Sequence, residues 1–267
     1  MGGMSASLLP QWSGIKPVIG MVHLMALPGS PRFSGDLRAI RDAALRDAES
    51  LAAGGVHGIM MENFGDVPFY PGRVPASVVA HVTAIAAEIR RAIPDVPLGI
   101  NMLRNDGQSA LAVAHAVGAN FIRVNVLCGA RVTDQGVIQG IAHDLLRERA
   151  HLGAHDIKIM ADVDVKHSAP LAVRPIIDEV DDTIERGLAD AVIVSGAGTG
   201  KPTDPQHVRV VKGAAGDVPV FIGSGVSAAT VEQFDSADGF IVGTAFKRNG
   251  DVAEPVDIDR VRAFVSW

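Results

Sequence analysis

The sequence predicts one α/β domain folded as a (β/α)8 barrel, with a phosphate-binding rim at the C-terminal ends of its strands. Three observations predict it. Eight short segments rich in Val, Ile and Met alternate strictly with Ala-rich helical stretches, and 267 residues suit one large barrel. Glycine-rich turns gather late in the chain instead of after the first strand. Strict strand–helix alternation implies parallel strands joined by right-handed crossovers. The competing open, doubly wound sheet would usually carry a glycine fingerprint after strand one. Here strand one runs into Val22-His23-Leu24-Met25-Ala26-Leu27-Pro28-Gly29, which is no such fingerprint.

Taken in order, the first strand spans 18–24, and the helix at 36–53 leaves through Gly54-Gly55-Val56-His57 into a strand at 58–63. The helix at 75–92 passes through Asp95-Val96-Pro97 into 98–103, and that at 107–117 through Gly118-Ala119-Asn120 into 121–126. A helix at 138–152 precedes the strand at 158–163, and one at 173–187 leaves through Gly187-Leu188-Ala189-Asp190 into 191–196. The helix at 205–215 passes through Asp217-Val218-Pro219 into 220–225, a short helix at 227–234 leads to 239–244, and a helix at 257–266 closes the chain. Glycine satisfies a left-handed helix exit, and proline before a strand cannot prolong the helix. No linker or compositional shift marks a second domain, so residues 1–14 read as a tail and 15–267 as the barrel.

Composition narrows the function classes. Aromatic residues make up only 4%, leaving Ala, Val, Gly and Ile to carry the packing. A net charge of −6 without any Lys/Arg run argues against nucleic acid as a partner, while leaving room for a small anion bound by local amides. Cys128 is the only cysteine, so neither an intrachain disulfide nor a cysteine-rich zinc site can form. The first twelve residues lack a signal-peptide pattern and no apolar stretch reaches the ~20 residues of a membrane span, so a cytoplasmic location is expected.

The phosphate expectation rests on Gly223-Ser224-Gly225-Val226, with a helix opening at Ser227, and on Gly243-Thr244-Ala245-Phe246. In a barrel these two loops are neighbours, and glycines let amides approach an anion while a helix N-terminus adds partial positive charge. The bland alternative is that the glycines only permit tight turns. The loop at 195–203 adds Gly198 and Gly200. It fails the nucleotide-binding pattern, because Ser195 stands at the first glycine and Pro202 at the Ser/Thr; it reads better as a lid from which Lys201 reaches an anion. The phosphate could belong to a sugar phosphate, a nucleotide or flavin mononucleotide.

Polar residues fall at the strand ends: His23, then Glu62 and Asn63, then Asn101 with Arg104 and Asp106, then Arg123 and Asn125, then Asp162, Asp164, Lys166 and His167, then Ser195. Burying unpaired charge is costly, so a set spread over six strands points to a ligand. Asp162, Lys166, Glu62 and His23 are the expected acid–base groups, with Asn101, Arg123, Asn125 and Ser195 binding substrate. Lys166 could form a Schiff base. A buried salt-bridge network, for example Arg123 with Glu62 or Asp162, is the structural alternative. His23, Glu62 and Asp162 are also a possible metal set, though without a specific spacing. The methionines Met21, Met25, Met60, Met61, Met102 and Met160 read as core filling, Trp12 and Trp267 as packing beneath the barrel, and the apolar segment 261–267 as material for self-association.

Several long motifs resemble the BtpA/SgcQ family. They include Lys16-Pro17-Val18-Ile19-Gly20-Met21-Val22-His23-Leu24, Glu62-Asn63-Phe64-Gly65-Asp66-Val67-Pro68-Phe69, Arg104-Asn105-Asp106 and Phe121-Ile122-Arg123-Val124-Asn125-Val126. Val132-Thr133-Asp134-Gln135-Gly136, Ala161-Asp162-Val163-Asp164-Val165-Lys166-His167, Gly198-Thr199-Gly200-Lys201-Pro202-Thr203, Gly223-Ser224-Gly225-Val226 and Gly239-Phe240-Ile241-Val242-Gly243-Thr244 extend the likeness over about residues 15–265. The resemblance implies a TIM barrel of the phosphate-binding kind. The family takes its name from photosystem I biogenesis in cyanobacteria, yet it also occurs in non-photosynthetic organisms and in a sugar-transport gene neighbourhood. It carries no catalytic assignment to transfer. The expected function is therefore an enzyme acting on a small phosphorylated metabolite, a sugar phosphate or nucleoside-derived phosphate, by acid–base, lyase or isomerase chemistry. The alternatives are an assembly or stability factor for a protein complex, and a flavin mononucleotide-binding barrel.

Overall fold

Period-two alternation in the strands sorts their side chains into two separate cores, and closure of the sheet follows from that sorting. The computed structural model describes residues 7–196 and 203–267. In chain order its strands are β1 (Val18–His23), β2 (Gly58–Glu62), β3 (Leu98–Asn101), β4 (Phe121–Val124), β5 (Ala130–Thr133), β6 (Gly136–Gln139), β7 (Lys158–Val163), β8 (Ser168–Pro170), β9 (Ala191–Val194), β10 (Val220–Ile222) and β11 (Gly239–Val242). Eight of them, β1-β2-β3-β4-β7-β9-β10-β11, pair in parallel and close on themselves, so the barrel is as the sequence predicts. The α-helices are α1 (Leu37–Gly54), α2 (Ala76–Ala92), α3 (Gly107–Val117), α4 (Ala142–His151), α5 (Ile176–Asp181), α6 (Pro205–Ala215) and α7 (Ile258–Val265). Asp36, Asp106, Asp204 and Asp257 cap α1, α3, α6 and α7 by accepting from first-turn amides. The left-handed exits after α1 and α3 fall on Gly55 (φ 91°) and Gly118 (φ 65°).

Three departures matter for the site. The predicted helix at 138–152 starts only at Ala142, because Gly136–Gln139 pairs antiparallel with Ala130–Thr133 around the two-residue turn Asp134-Gln135. With β8 these strands form a small separate sheet, ordered β6-β5-β8, made by the segments that follow β4 and β7. The predicted helix at 227–234 shrinks to one 3-10 turn, Val231–Phe234. There Thr230 Oγ1 takes the Ser227 amide at 3.0 Å, a local bond that competes with helix. Finally, the tail is not free of the barrel: Leu8, Leu9 and Trp12 are buried inside its lower end.

The inner core explains that last point. Ile19, Met21, Met60, Phe121, Met160, Ala191, Ile193, Phe221 and Ile241 point inward and join Leu8, Leu9 and Trp12. Trp12 packs on Phe121 and Phe221 at centroid distances of 5.8 and 6.3 Å, and its indole N–H donates to the His57 carbonyl at 2.9 Å. Gly99 and Gly239 leave room for those rings; a Cβ there would lie 2.0 Å from Phe121 and 2.4 Å from Phe221. The outer core lies between strands and helices and includes Met61 and Met102, whereas Met25 is exposed. Trp267 is half exposed and packs on Phe240, while Val261 and Phe264 of the same segment are buried against the barrel. Among the described residues no helix is long and apolar enough to cross a membrane.

Because Trp12 fills the barrel's lower end, Trp12→Ala should cost ~3–5 kcal/mol of stability. Denaturant unfolding monitored by circular dichroism checks this; a loss below ~1 kcal/mol would mean the end closes without it.

Candidate active site

In-register parallel pairing places His23 beside Glu62, Glu62 beside Asn101, and Asn101 beside Arg123 across β1 to β4. These side chains therefore form a polar layer directly above the apolar filling of the barrel. Glu62 is buried and accepts from Asn101 Nδ2 at 2.8 Å, with His23 Nε2 3.4 Å from its other oxygen. Burial pushes its proton affinity up, but His23, Lys166 and Arg123 together outweigh that and hold the carboxyl at about 2. The His23 ring lies 4.8 Å from Phe64, and its Nδ1 is buried without a partner.

Asp162 is the centre of the second half of the layer. Arg123 grips it through Nε and Nη2 at 2.9 and 2.7 Å, Asn125 Nδ2 donates at 2.8 Å, and the Ser195 hydroxyl lies at 3.4 Å. Burial opposes the Arg123 charge, but Asp162 more than compensates and raises its proton affinity above the ordinary guanidinium value. The arrangement is the buried ion-pair network weighed from the sequence, with Asp162 as partner rather than Glu62.

The residues after β7 do not continue the alternation expected from Asp162, Asp164 and Lys166. Asp164 takes a left-handed backbone (φ 49°) and turns outward, where Arg131 binds it at 2.5 Å. Buried Arg131 also holds Ser168 Oγ at 2.6 Å and Glu179, tying the small sheet to the end of β7. Lys166, between Asp164 and a second left-handed residue, His167 (φ 57°), returns to the mouth. Burial and the neighbouring Arg123 and Arg104 lower its proton affinity more than Glu62 and Asp162 raise it. Two other strand-end residues hold loops: Asn63 accepts the Leu103 amide at 2.7 Å, and Asp106 caps α3 while accepting from Val74.

The mouth has two lobes that share Glu62, Phe64, Arg123 and Lys166. The first, about 370 Å³, runs between Gly223–Thr230 and Gly243–Ala245. Two of its glycines have packing reasons to be glycine: a Cβ on Gly223 would meet Ser195 Oγ at 2.7 Å, and one on Gly243 would meet the His23 ring at 2.8 Å. Gly225 instead needs its positive φ of 74°. Among the described residues, the amides of Gly225, Val226, Thr244 and Ala245 have no hydrogen-bond acceptor. Arg260, from α7, also lines this lobe and is anchored by its Nε on the Ala245 carbonyl at 2.9 Å. The second lobe, about 340 Å³, adds Asn101, Arg104, Asn125 and Asp134. Gly198, Gly200 and Lys201 lie outside the described residues. Among the described residues no group of three or more His, Cys, Asp or Glu is placed to hold a metal; of the set weighed from the sequence, His23 meets Glu62 while Asp162 is occupied by Arg123 and Asn125.

Sequence reading did not select Arg260, Phe64 or Arg131, and noted Arg104 without a role. Arg260 comes from the last helix and Arg131 from a hairpin read as loop, so no strand-end rule reaches either. Arg104 lies three residues past Asn101, beyond the alternation that marked the others.

Closed parallel topology and a polar layer at the strand C-termini define a TIM barrel with a cleft at its C-terminal face. The fold agrees with solved structures of similar shape. Phosphoribosylanthranilate isomerase from Pyrococcus furiosus superposes with a TM-score of 0.57 at 14% identity, covering 94% of this chain and 97% of that one. KGPDC from Streptococcus mutans superposes with a TM-score of 0.57 at 12% identity, covering 94% and 96%. The chain belongs to the BtpA family, which it matches over residues 14–267. It is 49% identical to the photosystem I biogenesis protein BtpA of Synechocystis, over 93% of this chain and 86% of that protein. It is also 49% identical to an uncharacterized protein of Thermococcus kodakarensis, over 94% of each.

Two outcomes follow. Asp162→Asn leaves Arg123 buried without its counter-charge and should cost ~3–5 kcal/mol, read by denaturant unfolding. Glu62, held below its ordinary 4.5, adds stability above that pH and loses it as pH falls toward 2. Wild type should therefore lose roughly 3 kcal/mol more than Glu62→Gln over that acid range, and parallel unfolding curves for the two would contradict the buried-anion assignment.

Proposed function

We propose that this protein is an enzyme acting on a small phosphorylated metabolite, with the phosphate in the first lobe and the reacting carbon beside Lys166, His23 and Glu62. The observation that carries this reading is the continuity of the mouth: amides without an acceptor among the described residues, and Arg260, rim one end of a cavity whose other walls are Glu62, Arg123 and Lys166. Amides on a glycine-bearing rim suit an anion that must be held without being protonated. Remote phosphate binding then orients the reacting end. The name of the phosphoribosylanthranilate isomerase of like fold, which denotes a phosphorylated substrate, agrees with this use of the barrel.

The roles divide by hydrogen bonding. Asp162, engaged on both oxygens, holds Arg123 and Asn125 in place and is a positioning residue. Glu62, kept anionic, orients the His23 ring through Nε2, as a carboxylate orients the imidazole of hydrolytic triads. Lys166 has, among the described residues, no carboxylate at ion-pair distance and a lowered proton affinity, so it serves as the second acid–base group. Asn101 and Ser195 complete the polar floor. Isomerase or lyase chemistry by proton transfer needs no more than these groups.

A second reading, docking in assembly of a protein complex, is favoured by Val132, Val137, Leu171 and Val173, all exposed on or beside the small sheet, and by the name of the Synechocystis relative. Val132→Asp with Val137→Asp would then impair function in cells without altering phosphate binding. Flavin absorbance in the purified protein would make flavin mononucleotide the phosphate's bearer.

Calorimetric titration with inorganic phosphate tests the anchor: Arg260→Ala should weaken it ~10-fold or more, and Gly225→Asp at least as much, the latter with a loss of about 1 kcal/mol in stability from its positive φ. Equal affinity in both variants would remove the first lobe as a phosphate site. For a phosphate ester recovered from the protein by mass spectrometry, Lys166→Met should lower turnover ~10²-fold.

A further inference from the structure

The second lobe holds two cations that, among the described residues, no carboxylate meets at ion-pair distance. The ion pairs of the mouth are His23–Glu62 and Arg123–Asp162, and neither Arg104 nor Lys166 enters one among the described residues. Arg104 is buried, donates from Nη2 to the Lys166 carbonyl at 2.6 Å, and leaves its Nε without a partner. Burial works most against the Arg104 charge, and Asp162, Asp134 and Glu62, opposed by Arg123, offset it only in part, so a bound anion in contact with the guanidinium would relieve the remainder.

We propose that the second lobe is a carboxylate subsite, so that the ligand is a phosphorylated carboxylic acid with its carboxylate on Arg104. This deepens the reading above and rests on it for the phosphate half. A planar monoanion matches the guanidinium fork. A second phosphate fits worse, because Glu62 and Asp134 stand in the same lobe and repel a dianion more strongly. Val67, Phe69 and Leu103 supply apolar wall for the ligand's carbon body. Lys166 borders both lobes and so lies beside the bonds joining the two anionic ends.

The test is calorimetric titration of the full chain with inorganic phosphate, linear alkylphosphonates and ω-phosphonocarboxylates of matched and increasing length. At one length the carboxylate should add ~10-fold or more in affinity, the scale of a hydrogen bond to a charged group. Arg104→Gln should erase that increment, and Arg104→Lys, which keeps the charge but not the fork, should retain part of it. If Arg104→Gln fails to fold, the lysine variant carries the comparison. The proposal is overturned if no length gains affinity, if a bisphosphonate of that length gains more, or if the increment survives undiminished in Arg104→Gln or, where only that variant folds, in Arg104→Lys. Should phosphate and alkylphosphonates not bind while simple alkyl carboxylates bind in an Arg104-dependent way, the phosphate reading falls and the carboxylate subsite stands.

Discussion

The Arg123–Asp162 pair is buried on both sides, and the geometry of the mouth depends on it. Two charges taken out of water need close partners and further hydrogen bonds on every remaining lone pair, and here Asn125 and Ser195 supply them. A buried pair of this kind gains little stability over well-packed apolar side chains. Its presence on the floor of a cleft is therefore better explained by what it holds in place. It fixes a cation beneath the cavity, and that cation helps keep Glu62 ionised although burial alone would protonate it.

What lies beneath makes those electrostatics strong. Met21, Met60, Met160, Ile193 and Ile241 fill the barrel below the polar layer, and Trp12 with Phe121 and Phe221 closes the end. The layer thus faces water only through its mouth, and charges that meet apolar packing on one side are screened less than surface pairs. The segment that reads as a tail contributes to that arrangement as surely as the strands do.

The barrel was legible because its signals are local and repeated: alternation, glycine exits and prolines before strands recur in most units. The inward polar set was legible for the same reason, since His23, Glu62, Asn101, Arg123 and Asp162 obey a period of two along regular strands. Pairing between them was not, because which carboxylate meets Arg123 depends on neighbouring side chains across the sheet, and Asp162 rather than Glu62 takes the bidentate position. Asp164 was misplaced where a left-handed residue ends the alternation. The helix at 227–234 was misread because Ser227 and Thr230 satisfy one another locally, and the start at 138 was too early because Gly136–Gln139 pairs with Ala130–Thr133 across a turn. Arg260 was out of reach of any local rule, since α7 brings it to a rim more than fifteen residues away in sequence from Gly243.

These corrections move the chemistry within the site. Asp162 is hydrogen-bonded on both oxygens, whereas the proton affinity of half-buried Lys166 is lowered because burial and the neighbouring arginines outweigh Glu62 and Asp162. The backbone that presents it is constrained at both ends, by left-handed Asp164 on one side and His167 on the other, and Arg131 clamps the first of these to the small sheet and to Glu179. Left-handed conformations in non-glycine residues are costly and persist where surrounding contacts fix them. Arg131 therefore acts on the mouth without touching it. It sets the turn from which Lys166 re-enters the barrel, and links the position of that amine to a sheet whose outer face is open to other molecules.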